Sequence, residues 1–121
     1  MTRRIILAAA LIAITALSVN AREVVEIRLH GHYYSEPATV QITVAVEPDQ
    51  ENRVLRVEAD GDSMFRATEV TLLGENDKRL HVVEFKNLPA GDYELRAEVL
   101  SRTAVRGMAT QELVVSGIGG R

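Results

Sequence analysis

Apolar and polar residues alternate along this chain from about residue 24 onward, and turn-forming residues interrupt the alternation every eight to twelve positions. Period 2 is the signature of a half-buried β-strand, because successive side chains point to opposite faces. In EVVEIRLH, Val25, Ile27 and Leu29 share one face, with Glu26, Arg28 and His30 opposite. After Pro37, Val40, Ile42, Val44 and Val46 point one way and Gln41, Thr43 and Glu47 the other. DQEN makes a turn, then RVLRVEA sets Leu55, Val57 and Ala59 against Arg56 and Glu58. MFRATEVTLL is less regular: Phe65 and Ala67 share one parity, Val70 and Leu72 the other, which predicts a bulge or a strand that changes sheets. LHVVEFK turns His81, Val83 and Phe85 inward, and Tyr93, Leu95, Ala97 and Val99 alternate with Glu94, Arg96 and Glu98. A last strand spans about Val105 to Val115.

No window of helical length in this region shows a 3.6 period. Strands with one apolar and one polar face imply antiparallel sheets, each with one wet side. Seven short strands in about 100 residues predict an all-β, antiparallel, seven-stranded sandwich.

One stretch is more specific. In NLPAGDYELRAEV, Leu88 ends a strand as a core plug, Pro89 and Gly91 supply turn geometry, and Tyr93 enters the next strand. A buried Tyr at that place sends its hydroxyl back to upstream backbone and pins the crossover. On LPAGDYELRAEV the chain resembles bacterial immunoglobulin-like or fibronectin type III-like domains. The same turn resembles that of transthyretin-like sandwiches, so the two strand topologies stay open. Cys and Trp are absent, so the antibody pattern is not met. The resemblance implies a binding, adhesion or spacer module, not one defined activity.

The ends add a location. Arg3 and Arg4 precede an uncharged run, Ile5 to Val19, and Val19 and Ala21 occupy small-residue cleavage positions, so residues 1–21 read as a signal peptide. As a helix that run would span only about 22 Å, short of a hydrocarbon core of about 30 Å. Residues 22–116 form the domain and 117–121 a flexible tail, in a periplasmic or secreted protein with no membrane span after cleavage. Removing Arg3 and Arg4 leaves 12 basic against 17 acidic residues, a net charge of −5. That balance argues against nucleic acid. The absence of cysteine means that an apolar core, not disulfides, must hold an exported fold.

Candidate chemistry is sparse. His30 and His32 flank Gly31; on a strand they would share a face and could hold copper or zinc, as in some periplasmic copper-binding sandwiches. Tyr33 and Tyr34 beside them form a candidate patch for a protein or glycan partner. DGDS and GENDK read as turns, since they do not match the calcium-loop pattern. No nucleophile elbow, zinc-protease motif or phosphate loop is present. The expected protein is not an enzyme and needs no cofactor: a non-catalytic binding or structural module, with metal binding at His30 and His32 as the alternative.

Overall fold

The computed structural model describes residues 24–117. The signal peptide assigned to residues 1–21 lies outside them, as do residues 22–23 and 118–121. Within them eight strands form: β1 Val25–Leu29, β2 Tyr33–Ser35, β3 Ala38–Val46, β4 Val54–Gly61, β5 Phe65–Thr71, β6 Leu80–Leu88, β7 Gly91–Leu100 and β8 Val105–Ser116. A single 3-10 turn, Gly74–Asn76, separates β5 from β6. One sheet has the order β1-β3-β6 and the other β2-β8-β7-β4-β5. All neighbours are antiparallel except β2 and β8, which run parallel.

Most long strands turn one parity inward, and β6 changes parity between Phe85 and Leu88. β3 buries Ala38, Val40, Ile42, Val44 and Val46, β4 buries Leu55, Val57 and Ala59, and β7 buries Tyr93, Leu95, Ala97 and Val99. These inward sets merge with those of β1, β6 and β8 into one core. Full burial of an aliphatic side chain stabilises by roughly 1.5–3 kcal/mol. In a cysteine-free chain, this shared core is what joins the sheets.

The fold departs from the seven expected strands by one. Tyr33–Ser35 pairs with Val114–Ser116, and the Val114 N–H donates to the His32 carbonyl at 2.9 Å. Three residues are too few to display an alternation, and their partner lies some 80 positions away. The bulge predicted in MFRATEVTLL does not form, since β5 pairs with β4 from Phe65 to Thr71 without a register shift. β5 is an edge strand whose Arg66, Thr68 and Val70 face inward while Phe65 and Ala67 face water. An exposed apolar side chain is ordinary at an edge, so hydrophobicity misreports the parity there. Irregular register occurs instead between Ala38 and Val40 and between Val99 and Leu100.

Candidate functional site

β5 and β6 are edge strands of different sheets on the same side of the molecule, and the seam between them is bridged at one end by Arg66. Its Nη1 donates to the Lys86 carbonyl at 2.8 Å. At the other end the seam opens into a cleft of about 220 Å³ whose walls include Val70, Thr71, Leu73, Asp77, His81 and Val82, with Lys78 beside them. His81 is the one buried member of this set, 3% exposed, because its parity on β6 is that of Val83 and Phe85. Neither of its ring nitrogens meets a hydrogen-bond partner among the described residues. Buried polar atoms normally find partners, and leaving one without costs roughly 1–3 kcal/mol.

Asp77 shapes the rim. Its Oδ2 accepts the Leu73 N–H and its Oδ1 the Lys78 N–H, both at 2.8 Å. The Leu73 N–H above all holds this carboxyl below the ordinary carboxylate range. Desolvation opposes it, and the Lys78 N–H and the charges of His81 and Lys78 assist. Two large exposed apolar side chains line the cleft, Leu73 (74% exposed) and Val82 (59%), while Leu80 (48%), two residues before Val82 on β6, borders a separate hollow with Arg28 and Ala45. Single apolar residues are normal on a surface, and it is contiguous apolar patches that call for an explanation.

The residues nominated from sequence lie elsewhere. β1 ends at Leu29, so His30, Gly31 and His32 form the crossover between the two sheets and the same-face argument for a strand does not apply to them. Both imidazoles are exposed, and His32 Nδ1 lies 3.3 Å from Gln111 Nε2. Among the described residues no group of three His, Cys, Asp or Glu side chains is arranged to hold a metal ion. On β2, Tyr33 is 79% exposed whereas Tyr34 packs against the core, so the two rings occupy opposite faces. At the β6–β7 turn, Leu88 is fully buried and Tyr93 nearly so, and the Tyr93 hydroxyl donates to the Pro89 carbonyl at 2.7 Å. Gly91 takes φ +154°, which side-chain-bearing residues seldom adopt.

Two features carry no motif in the sequence. Asn52, in the turn after β3, is buried; its Nδ2 donates to the Glu47 carbonyl and its Oδ1 accepts from Arg106 Nε on β8, each at 3.0 Å. Arg106 also pairs with Asp49 at 3.2 Å. On the outer face of the larger sheet, Asp60, Glu94 and Glu112 stand in register on β4, β7 and β8. Arg96 offsets part of that charge, 3.4 Å from Glu94.

No family model and no curated protein matches the chain. Solved structures do. A superoxide reductase (neelaredoxin) from Ignicoccus hospitalis aligns over 84% of this chain and 86% of its own, with 14% identity and a TM-score of 0.60. The CARDB domain of a Pyrococcus furiosus protein, solved in solution, aligns over 76% of this chain and 92% of its own, with 16% identity and a TM-score of 0.55. At such identities the likeness concerns the fold alone, a two-sheet β architecture.

Proposed function

We propose that this chain is an exported, non-catalytic binding module of immunoglobulin-like type that engages a partner protein along the β5–β6 seam. The observation that carries this reading is the pair Leu73 and Val82, both exposed in the lining of a cleft between two sheet edges. Edge strands have unpaired backbone groups on one side, so an extended segment can gain hydrogen bonds from the backbone and specificity from side-chain pockets. A periplasmic or secreted location follows from the signal-like residues 1–21, and the acidic balance of the remainder disfavours nucleic acid as the partner.

The test is native mass spectrometry of the protein isolated from the envelope fraction of its producing cells, beside a Leu73→Ser/Val82→Ser variant. A partner chain carried by the wild type and lost in the variant supports the reading. A partner retained in the variant places the contact elsewhere, and a glycan adduct would replace the protein partner. A second reading draws on His30 and His32, two exposed imidazoles on the sheet crossover that could share copper or zinc. In the same spectra that reading requires a bound ion that disappears in His30→Ala/His32→Ala.

A further inference from the structure

We propose that the outer face of the smaller sheet holds a contact site of its own, for an extended segment of a partner protein in which two acidic residues flank one aliphatic residue at alternate positions. The site lies outside the seam and does not depend on the seam being a contact.

The site is a hollow of about 600 Å³ walled by Arg28, Ala45, Lys78, Arg79 and Leu80. Arg28, Ala45 and Leu80 have the outward parity of β1, β3 and β6, so the hollow opens on the wet face of the sheet. In a chain with 17 acidic against 14 basic residues, three basic ones converge here and no wall is acidic. Glu26 and Glu47, which do not line the hollow, pair with Arg28 at 3.1 Å and with Arg79 at 2.7 Å. The two Arg side chains remain 57% and 66% exposed, and ion pairs so exposed are weak. A guanidinium has five N–H donors, so each can meet a second carboxylate without giving up the first. Lys78 has no ion pair among the described residues, and Asp77 beside it spends both oxygens on backbone N–H groups. Between these charges the surface is apolar, with Ala45 half-buried and Leu80 exposed.

Strand register gives the spacing. Arg28 is level with Thr43, two residues before Ala45 on β3. Leu80 is level with Ala45, and the Arg79 carbonyl accepts the Val46 N–H at 2.8 Å. Because β6 runs against β3, Lys78 lies beyond Ala45 on the side away from Arg28, about level with Glu47. The basic groups thus bracket the apolar floor over about four residues, roughly 13 Å at about 3.3 Å per residue. In an extended segment, positions i, i+2 and i+4 share a face and cover the same span. Acids at i and i+4 then meet Arg28 and the Lys78–Arg79 pair, while an aliphatic side chain at i+2 covers Leu80. A free phosphate would reach one end only and leave Leu80 wet. An anionic bilayer is too broad, because it would press against Glu26 and Glu84, which share this outward face.

The experiment titrates the methyl-labelled protein with capped pentapeptides and follows the Ala45 and Leu80 methyl signals by NMR. The probe is Glu-Ser-Leu-Ser-Glu. One control, Gln-Ser-Leu-Ser-Gln, lacks the charge, and another, Glu-Ser-Ser-Ser-Glu, lacks the aliphatic residue. A third, Ser-Glu-Leu-Glu-Ser, keeps the composition but turns the acids to the face opposite the leucine. The expected result is a saturable shift of both methyl signals with the probe in the millimolar range, and binding of all three controls at least about fivefold weaker. Raising the ionic strength from about 10 to about 150 mM should weaken the probe about tenfold, because exposed charges are screened. Arg28→Gln/Lys78→Gln should weaken it comparably, and Leu80→Ser should reduce it to the level of the control without leucine. These three side chains are exposed, so both variants should keep the fold. An equal response to Ser-Glu-Leu-Glu-Ser overturns the alternate pattern in favour of unspecific charge attraction. An equal response to either of the other controls removes the acids or the aliphatic residue from the recognition and overturns the proposal. Shifts centred on Val70 and Leu73 instead place the peptide in the seam, and silence towards every peptide removes the site. Phosphatidylglycerol vesicles that shift both methyl signals where the probe does not would make this face a membrane contact. The wild-type series decides these outcomes even if a variant misfolds.

Discussion

Tyr93 and Gly61 depend on each other through one contact. They sit opposite in the β4–β7 ladder, and a Cβ on Gly61 would lie 2.7 Å from Cε2 of the Tyr93 ring. Gly61→Ala should therefore force the ring to move and cost about 1–3 kcal/mol, the usual penalty of overpacking. Tyr93→Phe keeps the ring but strips the Pro89 carbonyl of its donor, an expected loss of about 1 kcal/mol by urea denaturation. If that variant is as stable as the wild type, the hydroxyl does not hold the turn. Burial, mainly, raises the Tyr93 pKa above its ordinary 10.0, with Arg66 opposing and Glu36 adding. Stability from the neutral phenol is thus complete below pH 10 and is lost as pH climbs through the higher folded value. The margin of wild type over Tyr93→Phe should narrow only at alkaline pH. Asn52 answers to different physics. Asn52→Ala would leave both the Glu47 carbonyl and Arg106 Nε without their partner, and should cost about 1–3 kcal/mol in the same assay.

The loop leading into β6 shows how one side chain can govern an element. Asp77 binds the Leu73 and Lys78 amides, and its depressed pKa means that its contribution is full above the ordinary 3.8 and fades as pH falls through the lower folded value. Asp77→Asn should unfold more easily at neutral pH, and the gap to the wild type should close on titration below pH 3.8. At this scale the sequence was readable wherever a strand is long and has one wet face. The inward sets of β3, β4 and β7 follow its alternation residue by residue. It failed at β2, whose pairing is set by a strand some 80 residues away, and at β5, where an edge lets Phe65 face water and Arg66 face inward. The cleft was half legible. His81 declared its inward parity, but whether its nitrogens have partners depends on β5 and on the Asp77 loop, which no local pattern reports. Asn52 was invisible for the same reason, since DQEN describes a turn whether or not its last residue ties β8 to it.

Both sheets close on a single core, so the molecule should unfold in one step. Far-ultraviolet circular dichroism and the near-ultraviolet signal of its three tyrosines should lose amplitude at the same urea concentration. Separate midpoints would mean that the sheets are independent. The N-terminal part of the domain is stitched into both of them: β1 lies against β3, and after the His30–His32 crossover β2 lies against the C-terminal end of β8. That parallel pairing has a mechanical consequence. If the chain is pulled by the segments flanking residues 24 and 117, β1 is loaded first against β3, and once it parts β2 is drawn one way and β8 the other along their common axis. The load then falls in shear on the whole Tyr33–Ser35 pairing at once, whereas an antiparallel pair pulled at its open end would come apart bond by bond.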